Sequence, residues 1–248
     1  MKMLFVFLFL LIMVIIFSCN NTFLKPAEEF GNFDYTKYYI YLDYTPEGGS
    51  QFNCQDILYS IGKSSNKDML CIRGVVNPNS LRSVASCLEN NKLLVYLDLR
   101  YASYFEKVSN KTWYDYFRNK TNLKAIYFPY DVAEISFNVF QNCSNLETII
   151  IPAGLVTMRP NMFANCNNLK TVLYYGTKIS FKGGDTPGTS WTGIPSEQMT
   201  LYLANVDRES ASGNMNPNVS YGSWPKWAGY KWKEVKFNGE FDEKSIIR

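Results

Sequence analysis

The side chains that most often carry catalysis are sparse in this chain, and histidine is missing altogether. Without it there is no Ser-His-Asp or Cys-His nucleophile pair, no His-ligated zinc, and no imidazole base titrating near neutrality. Six cysteines are present, at Cys19, Cys54, Cys71, Cys87, Cys143 and Cys166. None stand at CxxC spacing, so neither a thioredoxin-type redox pair nor a zinc knuckle is available. Five follow Cys19, and an odd number leaves at least one thiol unpaired or paired between chains. Buried, inert thiols are the expected default. Glu28-Glu29 and Asp242-Glu243 place carboxylates side by side, but in segments with no frame to hold them at glycosidase spacing. Gly183 to Ser190 resembles a phosphate-binding loop. It lacks the phosphate-contacting Lys and no helix signal follows it, so it reads as a turn-rich loop. There is no calcium-loop pattern. Asn110, Asn119 and Asn218 match the glycan acceptor pattern, as chance allows in an Asn-rich chain. No catalytic residue, metal ligand or cofactor is assigned, and the expectation is a protein that is not an enzyme.

Charge narrows the partners. Lys and Arg total 25 against 22 Asp and Glu, with no long basic block, which makes nucleic acid a poor partner. The N-terminus points to a membrane instead. Lys2 precedes an apolar run of fifteen residues, Met3 to Phe17. That is short for a span of about 20 residues and fits the core of an export signal; a retained anchor helix is the alternative. Ile16-Phe17-Ser18-Cys19 resembles a bacterial lipobox, in which the cysteine is acylated and becomes the new N-terminus. Acyl chains bury at about 0.8 kcal/mol per CH₂, so several together hold firmly where one does not.

The elements that would position any site repeat. Phe117-Arg-Asn119-Lys120-Thr-Asn122-Leu123-Lys-Ala-Ile126-Tyr-Phe128-Pro129 is followed 23 residues later by Phe140-Gln-Asn142-Cys143-Ser-Asn145-Leu146-Glu-Thr-Ile149-Ile-Ile151-Pro152. After another 23 come Phe163-Ala-Asn165-Cys166-Asn-Asn168-Leu169-Lys-Thr-Val172-Leu-Tyr174-Tyr175. A degenerate copy, Leu88 to Leu99, lies upstream, and an insertion within Tyr101 to Trp113 separates it from the others. In each unit Leu146, Ile149 and Ile151, or their equivalents, face inward on a short strand starting near Thr148. Pro152 ends the strand, and the Asn of Phe-x-Asn suits a tight turn. No unit can bury its apolar side alone, so the units stack into a continuous parallel sheet.

This pattern resembles the BspA-type leucine-rich repeats of bacterial surface proteins, with Lys120 in place of the usual Cys and Tyr175 in place of the usual Pro. The resemblance implies a curved solenoid, export to the cell surface, and adhesion to host or neighbouring-cell proteins or extracellular matrix. The fold class expected is an α/β repeat: a short leucine-rich-repeat solenoid with a parallel sheet, a strand–helix–strand N-terminal cap and an aromatic-rich C-terminal cap. The divisions expected are a lipoprotein signal peptide (1–18), a lipid-anchored tether (19–29), an N-terminal cap region (30–87), repeats (88–175), a C-terminal loop and cap (176–240), and a flexible tail (241–248). The upstream cap combines strands at Tyr38 to Leu42 and Met69 to Ile72 with helices at Gln55 to Ile61 and from Ser80 to Leu88. Downstream, Thr200 to Leu203 and Glu234 to Phe237 read as further strands. Trp224, Trp227, Tyr230 and Trp232 read either as a carbohydrate platform or, the favoured reading, as cap core.

Alternation on the strands defines two outward columns. One is Asp98, Tyr127, Ile150, Leu173, Tyr202 and Lys236; the other is Tyr96, Ala125, Thr148, Thr171 and Thr200. The first is apolar enough to mark a protein contact, unless loops cover it. The partner-binding residues expected are therefore Tyr96, Asp98, Tyr127, Ile150, Leu173 and Tyr202, with Cys19 as the lipidation site. Cys143 and Cys166, one repeat apart, point the same way from adjacent coils, which favours two buried thiols over a disulfide. The function expected is a non-catalytic, lipid-anchored outer-membrane protein that is surface exposed and binds a protein partner. The alternative is a periplasm-facing envelope scaffold.

Overall fold

The computed structural model describes residues 39–42, 69–76, 78–89, 95–104, 112–179, 181, 190–219 and 222–247. The expected signal peptide, Cys19, the tether, the helix at Gln55 to Ile61 and most of the glycine-rich loop lie outside the described residues.

The strands are β1 (Tyr39–Leu42), β2 (Met69–Val76), β3 (Val95–Asp98), β4 (Ala102–Tyr104), β5 (Thr112–Trp113), β6 (Leu123–Tyr127), β7 (Glu134–Ile135), β8 (Thr148–Ile151), β9 (Thr157–Met158), β10 (Thr171–Tyr174), β11 (Thr200–Leu203) and β12 (Glu234–Lys236). Among the described residues nine form one sheet, ordered β1-β2-β3-β6-β8-β10-β11-β12, with β4 also pairing β2. Every pairing is parallel. Parallel neighbours need crossovers, and here each crossover is the rest of one repeat coil. On the way back the chain adds a second, narrow parallel sheet, β5-β7-β9. That ladder is the apolar stretch around Met158.

The register follows the 23-residue step. Ile126, Ile149 and Val172 are sheet neighbours, and Leu146, Ile149 and Ile151 lie fully buried in one core with Leu123, Leu169, Leu201 and Leu203. Upstream, α1 (Pro78–Glu89) crosses between β2 and β3. Proline suits its first turn, where the missing N–H leaves no bond unmade. Leu81, Val84, Ala85 and Leu88 bury its inner face, as their helical spacing requires. The segment expected to be an inserted loop holds a strand, β4. β2 is long enough to pair β3 at one end and β4 at the other, the break falling at Leu99–Tyr101.

Candidate functional site

Side-chain files lock the coils together. The Phe117, Phe140 and Phe163 rings stack face to face at 5.6 and 5.5 Å. Asn119, Asn142 and Asn165 each adopt a left-handed backbone, with φ of 63°, 64° and 60°, a conformation that Asn tolerates better than other side chains with a Cβ. Their amides run up the stack: Asn142 Nδ2 donates to Asn119 Oδ1 at 2.8 Å, and Asn165 Nδ2 to Asn142 Oδ1 at 2.9 Å. A second file ties Asn145 Nδ2 to the Thr121 carbonyl and Asn168 Nδ2 to the Ser144 carbonyl, both at 2.7 Å.

The thiols make a third file. Cys143 Sγ donates to the Phe117 carbonyl at 3.1 Å and Cys166 Sγ to the Phe140 carbonyl at 3.0 Å; both are free and buried. Contact with the Cys143 thiol, together with burial, pushes the Cys166 thiol well above its ordinary value, so Cys166 is not poised as a nucleophile. The default fails at Cys87, which is disulfide-bonded. Lys120, in the cysteine place of the first full coil, faces a helix rather than another coil, and its ammonium pairs with Glu89 at the end of α1.

The two outward columns keep the expected register. Asp98 pairs with Tyr127, Tyr127 with Ile150, Ile150 with Leu173, Leu173 with Tyr202, and Tyr202 with Lys236. The expectation that this face is open is corrected. Asp98, Tyr127, Ile150 and Leu173 are at most 2% exposed and Tyr96 is 8% exposed. Tyr202 is half-buried. Together with Cys71, Ala125 and Ala204 the apolar members form a second core, against which Tyr175, Tyr202, Phe241, Ile246 and Ile247 pack. The covering segment at the downstream end is the tail, expected to be flexible. Phe241 meets Tyr202 edge to face at 5.1 Å, and Tyr175 Oη donates to Glu243 Oε2 at 2.9 Å. Alternation states which way a side chain points, not what lies over it. The charges at Asp242, Glu243 and Lys244 masked the apolar Phe241, Ile246 and Ile247 beside them.

At the upstream end of this core sits an ion pair. Arg100 reaches back to Asp98 through Nε at 3.0 Å and a terminal nitrogen at 2.7 Å, while its backbone N–H also donates to the same carboxylate. Burial works against the Arg100 charge, but Asp98 outweighs it and holds Arg100 above its ordinary value. The guanidinium lies over the Tyr127 ring, 4.9 Å from its centroid. Cys71, next to Asp98 across the strands, is pushed up first by burial and then by that carboxylate. A matched, buried pair of this kind fixes geometry more than it adds stability.

Downstream, Trp224, Trp227, Tyr230 and Trp232 are buried in the main core with Trp191 and Tyr174. Trp191 Nε1 donates to the Ala228 carbonyl and Trp232 Nε1 to the Trp227 carbonyl. Rings buried this deeply against one another are core, not a carbohydrate platform, although the Trp224 indole N–H is left without a partner among the described residues. Trp191 itself continues the phenylalanine file, stacking on Phe163 at 5.1 Å, and Ile194 closes the same backbone turn onto it that Cys166 closes onto Phe163. Sequence reading missed this coil because its step is 28 residues and both marker letters change. The signal available was Trp-x-Gly, with Gly193 left-handed at φ 82°. It missed too the left-handed Asn138 and Asn161, 23 apart and two residues before Phe140 and Phe163.

Stacked parallel coils with repeating internal ladders define a leucine-rich-repeat solenoid, a class whose members generally mediate protein–protein contact. Within that class, residues 49–170 match the family model described as BspA type Leucine rich repeat region, in six copies, which supports placing these repeats with that family. The match begins well upstream of Leu88, inside the segment read as a cap, and ends before the Trp191 coil. No curated protein and no solved structure gives a match.

Proposed function

We propose that this chain is a non-catalytic lipoprotein of the bacterial cell surface that binds a protein partner, in adhesion or in recognition of host or neighbouring cells. The observation that carries the binding role is the stack of BspA-type repeats with its shared parallel sheet. The Cys87 disulfide favours an oxidising compartment, in keeping with export behind a lipobox-like segment ending at Cys19. The strand–helix–strand unit around α1 and the buried tryptophans serve as end caps, which a solenoid needs to keep core from water.

With most of the sheet column buried, the contact is assigned to its Tyr202 end. There Tyr175, Tyr202, Phe241, Ile246 and Ile247 form a half-buried patch of aromatic and aliphatic side chains, the composition that interface cores favour. Cells displaying the parent chain, the Tyr202→Ser/Phe241→Ser variant and Cys19→Ala are tested for attachment to matrix and host-cell proteins. The double variant is expected to lose attachment about tenfold or more at unchanged surface amount, with a thermal midpoint lowered only by the loss of the Tyr202–Phe241 packing. Cys19→Ala is expected to leave the membrane fraction. Undiminished attachment by the double variant overturns the assignment of the patch. Resistance to protease on intact cells, lost when the outer membrane is opened, turns the reading to a periplasm-facing scaffold.

A further inference from the structure

A depression of about 440 Å³ lies outside the sheet face, lined by Arg82 of α1 and by Tyr114, Asp115 and Tyr116, which lead into the first full coil. We propose that it binds a neutral saccharide. Tyr114 is 43% exposed and meets Tyr116 edge to face at 6.2 Å, while the Arg82 guanidinium lies over the Tyr116 ring, 5.4 Å from its centroid. The volume falls within the range of small-ligand sites, about 300–1,000 Å³.

The repeat itself does not require these residues. Counted back from each stacked phenylalanine, Tyr114-Asp115-Tyr116 occupy the places held by Phe137-Asn138-Val139 and Pro160-Asn161-Met162 in the next two coils. Val139 and Met162 are fully buried there, and Asn138 and Asn161 are left-handed turn residues. The first coil departs at the second and third places, where Asp115 and Tyr116 stand for a left-handed Asn and a buried aliphatic side chain, and both departures line the depression. Tyr116 is only half-buried where its counterparts are core.

The chemistry selects the ligand. Among the described residues the lining carries one guanidinium and one carboxylate, which cancel, so a polyanion gains little from them. The guanidinium only donates, an ionised carboxylate only accepts, and phenols do both. Vicinal sugar hydroxyls, each a donor and an acceptor, match that mixture. The C–H face of a pyranose fits the exposed Tyr114 ring, which offers a flat apolar surface with a polar edge. Phe137 takes the place of Tyr114 one coil on. It is 45% exposed, with the Arg159 guanidinium 5.6 Å from its ring centroid and held by Glu134 at 3.0 Å. A longer chain running along the coils would meet this second platform.

The test uses the intact protein, purified in mild detergent, on an array of neutral gluco-, manno-, galacto- and N-acetylglucosamine oligomers, the best binder then being titrated calorimetrically. Tyr114→Ala is expected to weaken it about tenfold or more, Asp115→Asn severalfold, and Tyr114→Trp hardly at all. Phe137→Ala is expected to reduce affinity for long oligomers and to spare short ones. All three sites are exposed, so thermal midpoints should match the parent's. Absence of binding across the array overturns the proposal, as does parental affinity in Tyr114→Ala. So does a preference confined to anionic glycans. Loss of protein attachment in Tyr114→Ala without any saccharide binding would reassign the depression to a protein partner. None of these outcomes depends on the Tyr202 patch.

Discussion

The coils from Phe117 to Tyr175 and the segment from Ser190 to Ile247 solve one packing problem in two ways. In the coils the ring and turn slots are filled by the same letter every 23 residues, a phenylalanine and a left-handed asparagine, and the next slot by Lys120 in the first coil and a small thiol in the other two. Beyond Tyr175 the slots persist while the letters change. Trp191 takes the ring slot, Gly193 the left-handed slot and Ile194 the thiol slot. Gln198, with Nε2 donating to the Asn167 and Leu169 carbonyls, takes the place of an asparagine file. What is constant is the geometry of the stack: strand register, a turn needing positive φ, and a ring-sized gap above each ring. A repeat read by letters stops at Tyr175, whereas one read by slots continues to β11. The difference arises because the last coil has coil on one side only. Its other side must meet the tryptophan cluster, and larger side chains with side-chain donors do that.

The largest effect expected from breaking this comparison is at Phe140, whose ring is fully buried and stacked on both faces. Phe140→Ala should cost about 3–5 kcal/mol, read as a shift of the denaturant midpoint. Swapping letters between the two regions sharpens the point. Phe140→Trp overfills a slot closed on both sides and should cost about 1–3 kcal/mol. Trp191→Phe keeps the stack on Phe163 but leaves the Ala228 carbonyl without its indole donor, again about 1–3 kcal/mol. If Phe140→Trp were neutral, the middle coils would be no more tightly specified than the end.

Much of this was legible from spacing, and what was not has a common physical cause. The 23-residue step predicts that Tyr127, Ile150 and Leu173 are sheet neighbours, residue for residue, because register in a stacked solenoid is a local property of each unit. It predicts the phenylalanine file for the same reason. It cannot predict that the Tyr127–Leu173 face is closed, since closure depends on chain distant in sequence, including a tail whose apolar residues alternate with charges. Nor could it tell which cysteine is bonded: Cys87 lies on the buried side of α1, and helical spacing alone gives it no partner. The depression at Tyr114 went unnoticed because Asp115 and Tyr116 break the repeat, and Arg82 comes from another element.

A smaller effect separates backbone from side chain in the left-handed slot. Asn142→Ala loses both ladder amide bonds and puts a Cβ residue at φ 64°. The conformation costs about 1–2 kcal/mol and the bonds about 1 more. Asn142→Gly accepts the backbone and should show only the second part. At the end of the stack the roles reverse: Gly193→Ala is strained by its φ of 82°, and its new methyl would fall on the Asn165 amide oxygen. Equal stabilities for Asn142→Ala and Asn142→Gly would mean that the amide ladder, not the turn, selects asparagine.

The smallest effect is confined to alkaline pH and distinguishes a ring that faces the end cluster from rings that face coils. Tyr174 holds the slot of Ile151 one coil on, fully buried, 4.8 Å from Trp227. Burial pushes its phenol up to about 12, with the backbone at Lys178 pulling weakly the other way. The folded state therefore resists the phenolate more than the unfolded chain does. The sign follows: the hydroxyl's contribution is complete below pH 10 and is lost as pH rises from 10 toward 12, with a slope of at most about 1.4 kcal/mol per pH unit. Tyr174→Phe removes that proton. Denaturant midpoints of parent and variant measured at pH 8, 10 and 11.5 should stay parallel over the first interval. Over the second the parent should fall further. The hydroxyl lies close over Gly176, where an added methyl would overlap it. Parallel curves through pH 11.5 would mean that the tryptophan end opens to solvent before the coils do.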